Sequence, residues 1–134
     1  MILLKDICAL DNGAKFHNAD LHIHSFGASH DVKDSTMTPE AIVESAVRQN
    51  LRVIAITDHN SNKNIDAVLA YAQAKHPGRI LVLPGVEVTT AHGHLLVYFA
   101  PEKTKDLAKF LTSIDLISEY PCSSCLMGSG TRSF

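Results

Sequence analysis

The chain has 134 residues, 46% of them hydrophobic and 19% charged, a balance that suits one soluble globular domain and excludes a disordered or fibrous chain. Its formal net charge of −2 leaves no basic field with which to grip nucleic acid by charge alone, although bound divalent cations would reverse the sign inside a cleft. The apolar run Met1 to Leu4 breaks at Lys5 and Asp6, which is too short for a signal sequence, and nothing later reaches the length of a membrane span. The three cysteines are an odd count and suggest no disulfide framework. The expected address is cytoplasmic, with no membrane partner.

Ala19 to His24 alternates apolar and polar residues and reads as a short strand. Ser25 to Met37 is polar and irregular, a long loop. Thr38-Pro39-Glu40 starts a helix: Thr38 caps, Pro39 fits the first turn, and Glu40 suits the positive end of the dipole. Ile42, Val43, Ala46 and Val47 then share one face. Val53 to Thr57 is nearly all apolar, as a buried parallel strand should be. Ile65, Val68, Leu69 and Ala72 repeat at helical spacing, Pro77-Gly78 ends that helix, and Ile80 to Leu83 and Leu95 to Phe99 follow as buried strands. A last helix opens near Thr104, with Leu107, Phe110, Leu111 and Ile114 on its apolar face.

Strands alternating with helical patterns predict an α/β fold of parallel βα units, as an open sheet or part of a barrel. Residues 1–117 form the expected domain. From Ser118 the chain shows neither period, so 118–134 reads as an irregular tail. Its Cys122 and Cys125 lack the second pair that a closed zinc site needs.

The chemistry-bearing residues follow the strands. Asp20, His22 and His24 should project from one face of the first strand, with Leu21 and Ile23 packed under the helices on the other. His30 lies in the loop beyond. Thr57-Asp58-His59 leaves the second strand at its carboxyl end, where α/β folds place their active sites. Glu87 follows the third buried strand, flanked by Val86 and Val88, where a carboxylate is costly unless paired or metal-bound. His94 opens the next strand. Taken singly, an HxH pair on a strand is as well explained by chance, and an Asp-His after a strand by a helix cap beside an exposed ring. Together they gather histidines and carboxylates at one mouth of the fold, a ligand set suited to zinc, manganese or iron. Glu87 in that company suits a bridge between two ions. His17 and His76 read as surface histidines, His92 as a loop histidine, and Cys8 as a small apolar residue. Lys33 and Lys63 lie in loops where solvation is the ordinary state, and neither is assigned a role.

The segments ADLHIHS, AITDHN and LPGVE…GHLL resemble, in order, the first three motifs of the PHP (polymerase and histidinol phosphatase) superfamily. The resemblance implies a distorted (β/α)7 barrel holding two or three divalent ions at its carboxyl-end face. It implies that His22 and His24 ligate one metal, that Glu87 bridges to a second held also by His94, and that His59 joins a third with His30, Asp31 being the alternative. Asp58 is implied to orient a ligand, and with Glu87 it forms the expected catalytic pair. The implied activity is hydrolysis of a phosphomonoester or phosphodiester by metal-activated water, the substrate being a nucleotide, a nucleic-acid end or a small metabolite phosphate. The family's late motifs have no counterpart here, so a truncated or frameshifted chain is expected, weak or inactive alone and prone to associate through an incomplete barrel. Two other readings stay open: an accessory domain severed from a larger nucleic-acid-processing polymerase or ATPase, and a non-catalytic metal-binding remnant.

Overall fold

A computed structural model describes residues 16–90 and 93–115 of the chain. The readings made on Met1 to Leu4, Cys8, His92, Cys122, Cys125 and the tail fall outside the described residues. The element order is β1 (Ala19–Ile23), α1 (Pro39–Arg48), β2 (Val53–Ile56), α2 (Ile65–Lys75), β3 (Leu81–Thr90), β4 (Gly93–Tyr98), a 3-10 turn (Pro101–Lys103) and α3 (Thr104–Asp115).

Local chemistry sets the boundaries. The Thr38 side chain accepts from Ala41 N at 3.3 Å, with Pro39 in the first turn of α1. The helix closes when Asn50 turns left-handed (φ 57°). Leu51 N then donates to Ala46 O at 2.9 Å and Asn50 N to Val47 O at 3.1 Å, satisfying carbonyls the helix would otherwise leave open.

The strands form one sheet in the order β1-β2-β3-β4. β1, β2 and the first part of β3 pair in parallel, whereas β3 and β4 pair antiparallel from Gly85–Tyr98 to Thr90–Gly93. The two classes of pairing meet at Pro84-Gly85. Pro84 offers no N–H to a ladder, but its carbonyl accepts from Phe99 N at 2.8 Å. A Cβ on Gly85 would sit 2.9 Å from Thr57 Cγ2 and 3.1 Å from both Ile56 O and Val97 O, so only glycine lets β3 pass between its neighbours there. β3 therefore runs on to Thr90 instead of stopping after Leu83, and the strand expected to be buried at Leu95–Phe99 returns antiparallel as a hairpin with Leu95 56% exposed.

The core lies between the sheet and the helices. Ile42, Val43 and Ala46 of α1, Ile65, Val68 and Ala72 of α2, and Leu107 of α3 pack on Ile54 and Ile56 of β2 and Val82 of β3. Each fully buried branched side chain contributes about 1.5–3 kcal/mol. Ile23 packs against this cluster as expected, but Leu21 is 42% exposed, because β1 is an outer strand and the helices cover only its carboxyl end. The sheet is strongly curled. β1 and β4 are separated by three strand spacings, about 14 Å if flat, yet the Tyr98 hydroxyl donates to the Leu21 carbonyl at 2.8 Å. Among the described residues no helix is long and apolar enough to cross a membrane.

Candidate metal centre

The curl brings the strand ends together around one carboxylate. Glu87 alternates with Val86 and Val88, both buried, and is itself only 4% exposed. Its backbone is clasped from the loop after β2: Glu87 N donates to Asp58 O at 3.2 Å, and Asn60 N donates to Glu87 O at 3.0 Å. Asn60 adopts φ 47°, and its side-chain oxygen accepts from Thr89 N at 3.1 Å. A left-handed Asn therefore follows a parallel bridge between His59 and Glu87, three residues past β2, and fixes the segment that carries Glu87.

The two carboxylate oxygens face opposite ways. Oε2 lies 2.8 Å from His22 Nε2 and 2.7 Å from His24 Nε2, and those two nitrogens are 3.1 Å apart. Oε1 meets Nδ1 of His94, which reaches it diagonally across the hairpin because Leu96, two residues on, is the direct partner of Glu87. His59 Nε2 lies 3.7 Å from Oε2 and 3.8 Å from Asp31 Oδ2. Asp31 in turn binds His24 Nδ1 at 2.8 Å. The imidazole rings stand edge to face, with centroids 4.9 Å apart for His22–His24, 4.7 Å for His24–His59 and 4.9 Å for His59–His94.

Packed against one another, these groups shift their proton affinities. Burial penalises the charge on Glu87, but hydrogen bonds from His22, His94 and His24 outweigh it and hold the carboxyl down to about 2. Burial also opposes the charge on His24, and its bonds to Asp31 and Glu87 overcome that and raise it. Asp31, despite some desolvation, is held far below the usual carboxylate range by His24 and Ser29. Burial lowers His59, whose Nδ1 is buried with no hydrogen-bond partner. Two rings whose nitrogens face each other across 3.1 Å around a carboxylate oxygen make a poor hydrogen-bonded set, since not all of them can donate. They make a good ligand set: ligands about 2.0–2.1 Å from one ion lie about 2.9–3.4 Å from each other.

Three groups of donors fit this description, each with its ligand atoms within 4.8 Å: His22, His24 and Glu87; His24, Asp31 and His59; His59, Glu87 and His94. The expected residues His22, His24, His59, Glu87 and His94 are thus brought together. His30 stands beside them, its ring centroid 5.0 Å from that of His59, while its neighbour Asp31 supplies the donor in the second group. Asp58 behaves differently from the expected partner of a histidine ring. Fully buried, it accepts from Ser25 N at 2.6 Å and from Ser25 Oγ at 2.7 Å. Burial raises its pKa and the two Ser25 bonds resist the rise. Asn64 completes the network, its Nδ2 donating to Ser25 Oγ and to Phe26 O, each at 2.9 Å. The network grips the backbone immediately after His24 and so aims that ring from behind. Ser25, Asn60 and Asn64 are the residues the sequence reading missed. Their signal was position, since each adjoins the end of a parallel strand where neighbouring loops must meet.

The chain matches the family model of the PHP domain over residues 20–123, which is most of its length and includes every donor above. The chain belongs to the PHP domain family. Over 72 residues it is 36% identical to the 5'-3' exoribonuclease Rnm of Salmonella typhimurium, an alignment covering 53% of this chain and 22% of that protein. Among solved structures it resembles an amidohydrolase from Chromobacterium violaceum with bound sulfate and no metal, at 29% identity and a TM-score of 0.54, covering 72% of this chain and 33% of that one. It also resembles a protein from Bifidobacterium adolescentis described as a metal-dependent phosphoesterase, at 21% identity and a TM-score of 0.53, covering 78% of this chain and 40% of the other. The PHP chain described here thus spans well under half the length of each of these relatives, and its fold is the curled β/α part of theirs.

Proposed function

We propose that this PHP domain serves the metal-dependent hydrolysis of phosphate esters. The observation that carries the reading is the placement of Glu87, one carboxylate oxygen against His22 and His24 and the other against His94. That is the disposition of a carboxylate that bridges two ions. His22 and His24 would hold the first ion with Glu87, and His94 and His59 the second. Asp31 would orient His24 through Nδ1, leaving Nε2 for the ion, as orienting partners of metal-bound histidines do. A third ion would fall to His59 with Asp31 or His30. Zinc, manganese or iron suits these donors, and when bound such ions supply Lewis-acid stabilisation of phosphoryl oxygens and lower the pKa of water.

The residues of the chain prepare the site for that chemistry. Glu87 brings the negative charge that offsets neighbouring cations, and its clasped backbone keeps it from swinging away. Asp58 is a positioning residue, acting through Ser25. The sulfate held by the 29%-identical amidohydrolase has the shape of a phosphoryl group, and the 36%-identical exoribonuclease makes a nucleic-acid end the favoured phosphodiester. The test is metal content followed by turnover. Purified chain should retain at least one ion, lose most of it when His22 and His24 are both changed to Ala, and show slow metal-dependent hydrolysis of bis-p-nitrophenyl phosphate that Glu87→Gln abolishes. Less than one ion per chain after gentle purification in metal-supplemented buffer would overturn the reading.

A further inference from the structure

The flank of α1 beside β1, the outer strand, is open. A groove of about 340 Å³ runs there, lined by Ile23, Met37, Ala41, Ser45 and Leu51 among others, and β1 pairs with β2 alone among the described strands. Toward the end where α1 finishes and β1 begins, the groove carries Arg48 and Asp20. Asp20 accepts from the His22 N–H at 3.2 Å, and neither it nor Arg48 forms an ion pair among the described residues.

The chain arrives at that same end. Phe16, 94% exposed, lines a neighbouring cleft with Asn18, Asn50 and Arg52, and Arg52 N donates to Asn18 O at 2.8 Å. The turn 48–52 thus borders both the groove and the point where residues 1–15 join the described chain. Those residues have the composition of an occupant. Leu3, Leu4, Ile7 and Leu10 recur at helical spacing, and Asp11-Asn12-Gly13 carries the chemistry of a turn. Residues 11–15 can span up to about 17 Å, enough to turn back along the ten-residue α1, which is about 15 Å long. Lys5 and Asp6 present one charge of each sign, as Asp20 and Arg48 do. A short tether also holds such a segment at an effective concentration in the millimolar range, which favours it over a second copy of the chain.

We propose that residues 1–10 fold back at Asp11-Asn12-Gly13 and dock in this groove. Leu3, Leu4, Ile7 and Leu10 lie against its apolar wall, and Lys5 and Asp6 meet Asp20 and Arg48. The segment thereby covers the flank of the strand that carries His22 and His24, and the proposal stands apart from the hydrolase reading. Cysteine linkage tests it in the 134-residue chain, whose three cysteines are Cys8 in this segment and Cys122 and Cys125 near the other end. A cysteine placed in the groove therefore reports its occupant. Ser45→Cys, and Gln49→Cys at the exposed rim, are each treated with a short bis-maleimide, and the linked peptides are mapped by mass. Thermal melts confirm that each variant is folded, Gln49→Cys serving should Ser45→Cys disturb the packing. The new cysteine should join Cys8 of the same chain, at a yield independent of protein concentration. Changing Leu4 and Ile7 together to Asp should abolish that link. Linkage to Cys122 or Cys125 would assign the groove to residues 118–134, and linkage between chains that rises with concentration would assign it to a second copy. Either result, no link in a folded variant at either position, or a link that survives the double Asp change would overturn the proposal.

Discussion

Glu87 and Asp58 are both buried carboxylates, and the structure gives them opposite duties. Glu87 ends among imidazole nitrogens, where under the proposed function its charge would offset cations. Asp58 ends on Ser25, where its oxygens satisfy a backbone N–H and a hydroxyl. Glu87→Gln should therefore lower metal occupancy sharply, by about tenfold or more in affinity, as loss of a ligand or its immediate partner does. Asp58→Asn leaves one buried donor without its acceptor and should cost about 1–3 kcal/mol of stability with a smaller loss of metal. Parallel metal titrations and thermal melts of the two variants check this, and equal metal losses would show the duties to be wrongly divided. The donors His22, His24, His59, Glu87 and His94 were legible in the sequence because each sits at a fixed offset from a strong apolar run. Ser25 and Asn64 were not, since their role depends on two loops meeting across 39 positions of chain. The choice between His30 and Asp31 was equally hidden, because an irregular loop carries no period from which to read direction.

At the scale of elements, α1 and α2 are tied together by a polar contact outside the metal centre. Glu44 accepts from the Tyr71 hydroxyl at 3.0 Å and pairs with His76 Nε2 at 2.9 Å. These bonds, the one from His76 foremost, lower the Glu44 pKa from its ordinary 4.5, and the Glu44 bond raises Tyr71 above 10.0. The folded carboxyl is the stronger acid, so its contribution is present above pH 4.5 and fades as pH falls through the depressed folded value. For Tyr71 the sense is reversed: the contribution holds below pH 10.0 and is lost as pH rises through the raised value. Melting temperatures of wild type and Glu44→Gln should thus differ near neutrality and converge at the acid and alkaline ends. A difference constant with pH would assign the contact to packing alone. The helices themselves were readable from Thr38-Pro39 and from the apolar spacing, and so were the three parallel strands. The antiparallel return of β4 was not, because Pro84-Gly85 reads locally as an ending, and only the crowding of Thr57, Ile56 and Val97 around Gly85 reveals it as a bend.

Across the whole molecule, the outer strands leave apolar side chains in solvent: Leu21 of β1 is 42% exposed, and Leu95 and Tyr98 of β4 are 56% and 40% exposed. Among the described residues, the hydroxyl bond from Tyr98 to Leu21 O joins the two margins of the curled sheet. What resists its opening is β3, which carries Val82 in the core at one end and Glu87 among the histidines at the other. Two ions bridged by Glu87, one held with His22 and the other with His94, would act as rivets across β1, β3 and β4, and unfolding would have to release them. By mass action, ligand at a hundred times its dissociation constant adds about 2.7 kcal/mol to the folded state. Added manganese or zinc should accordingly raise the melting temperature with ion concentration, and chelation should lower it. The Glu87→Gln chain should melt at a temperature nearly indifferent to either, whereas a change in the core such as Val82→Ala should lower the curve while preserving its dependence on the ion. The strand proposed to seat the ion would thus make heat a gauge of its occupancy, readable without any substrate.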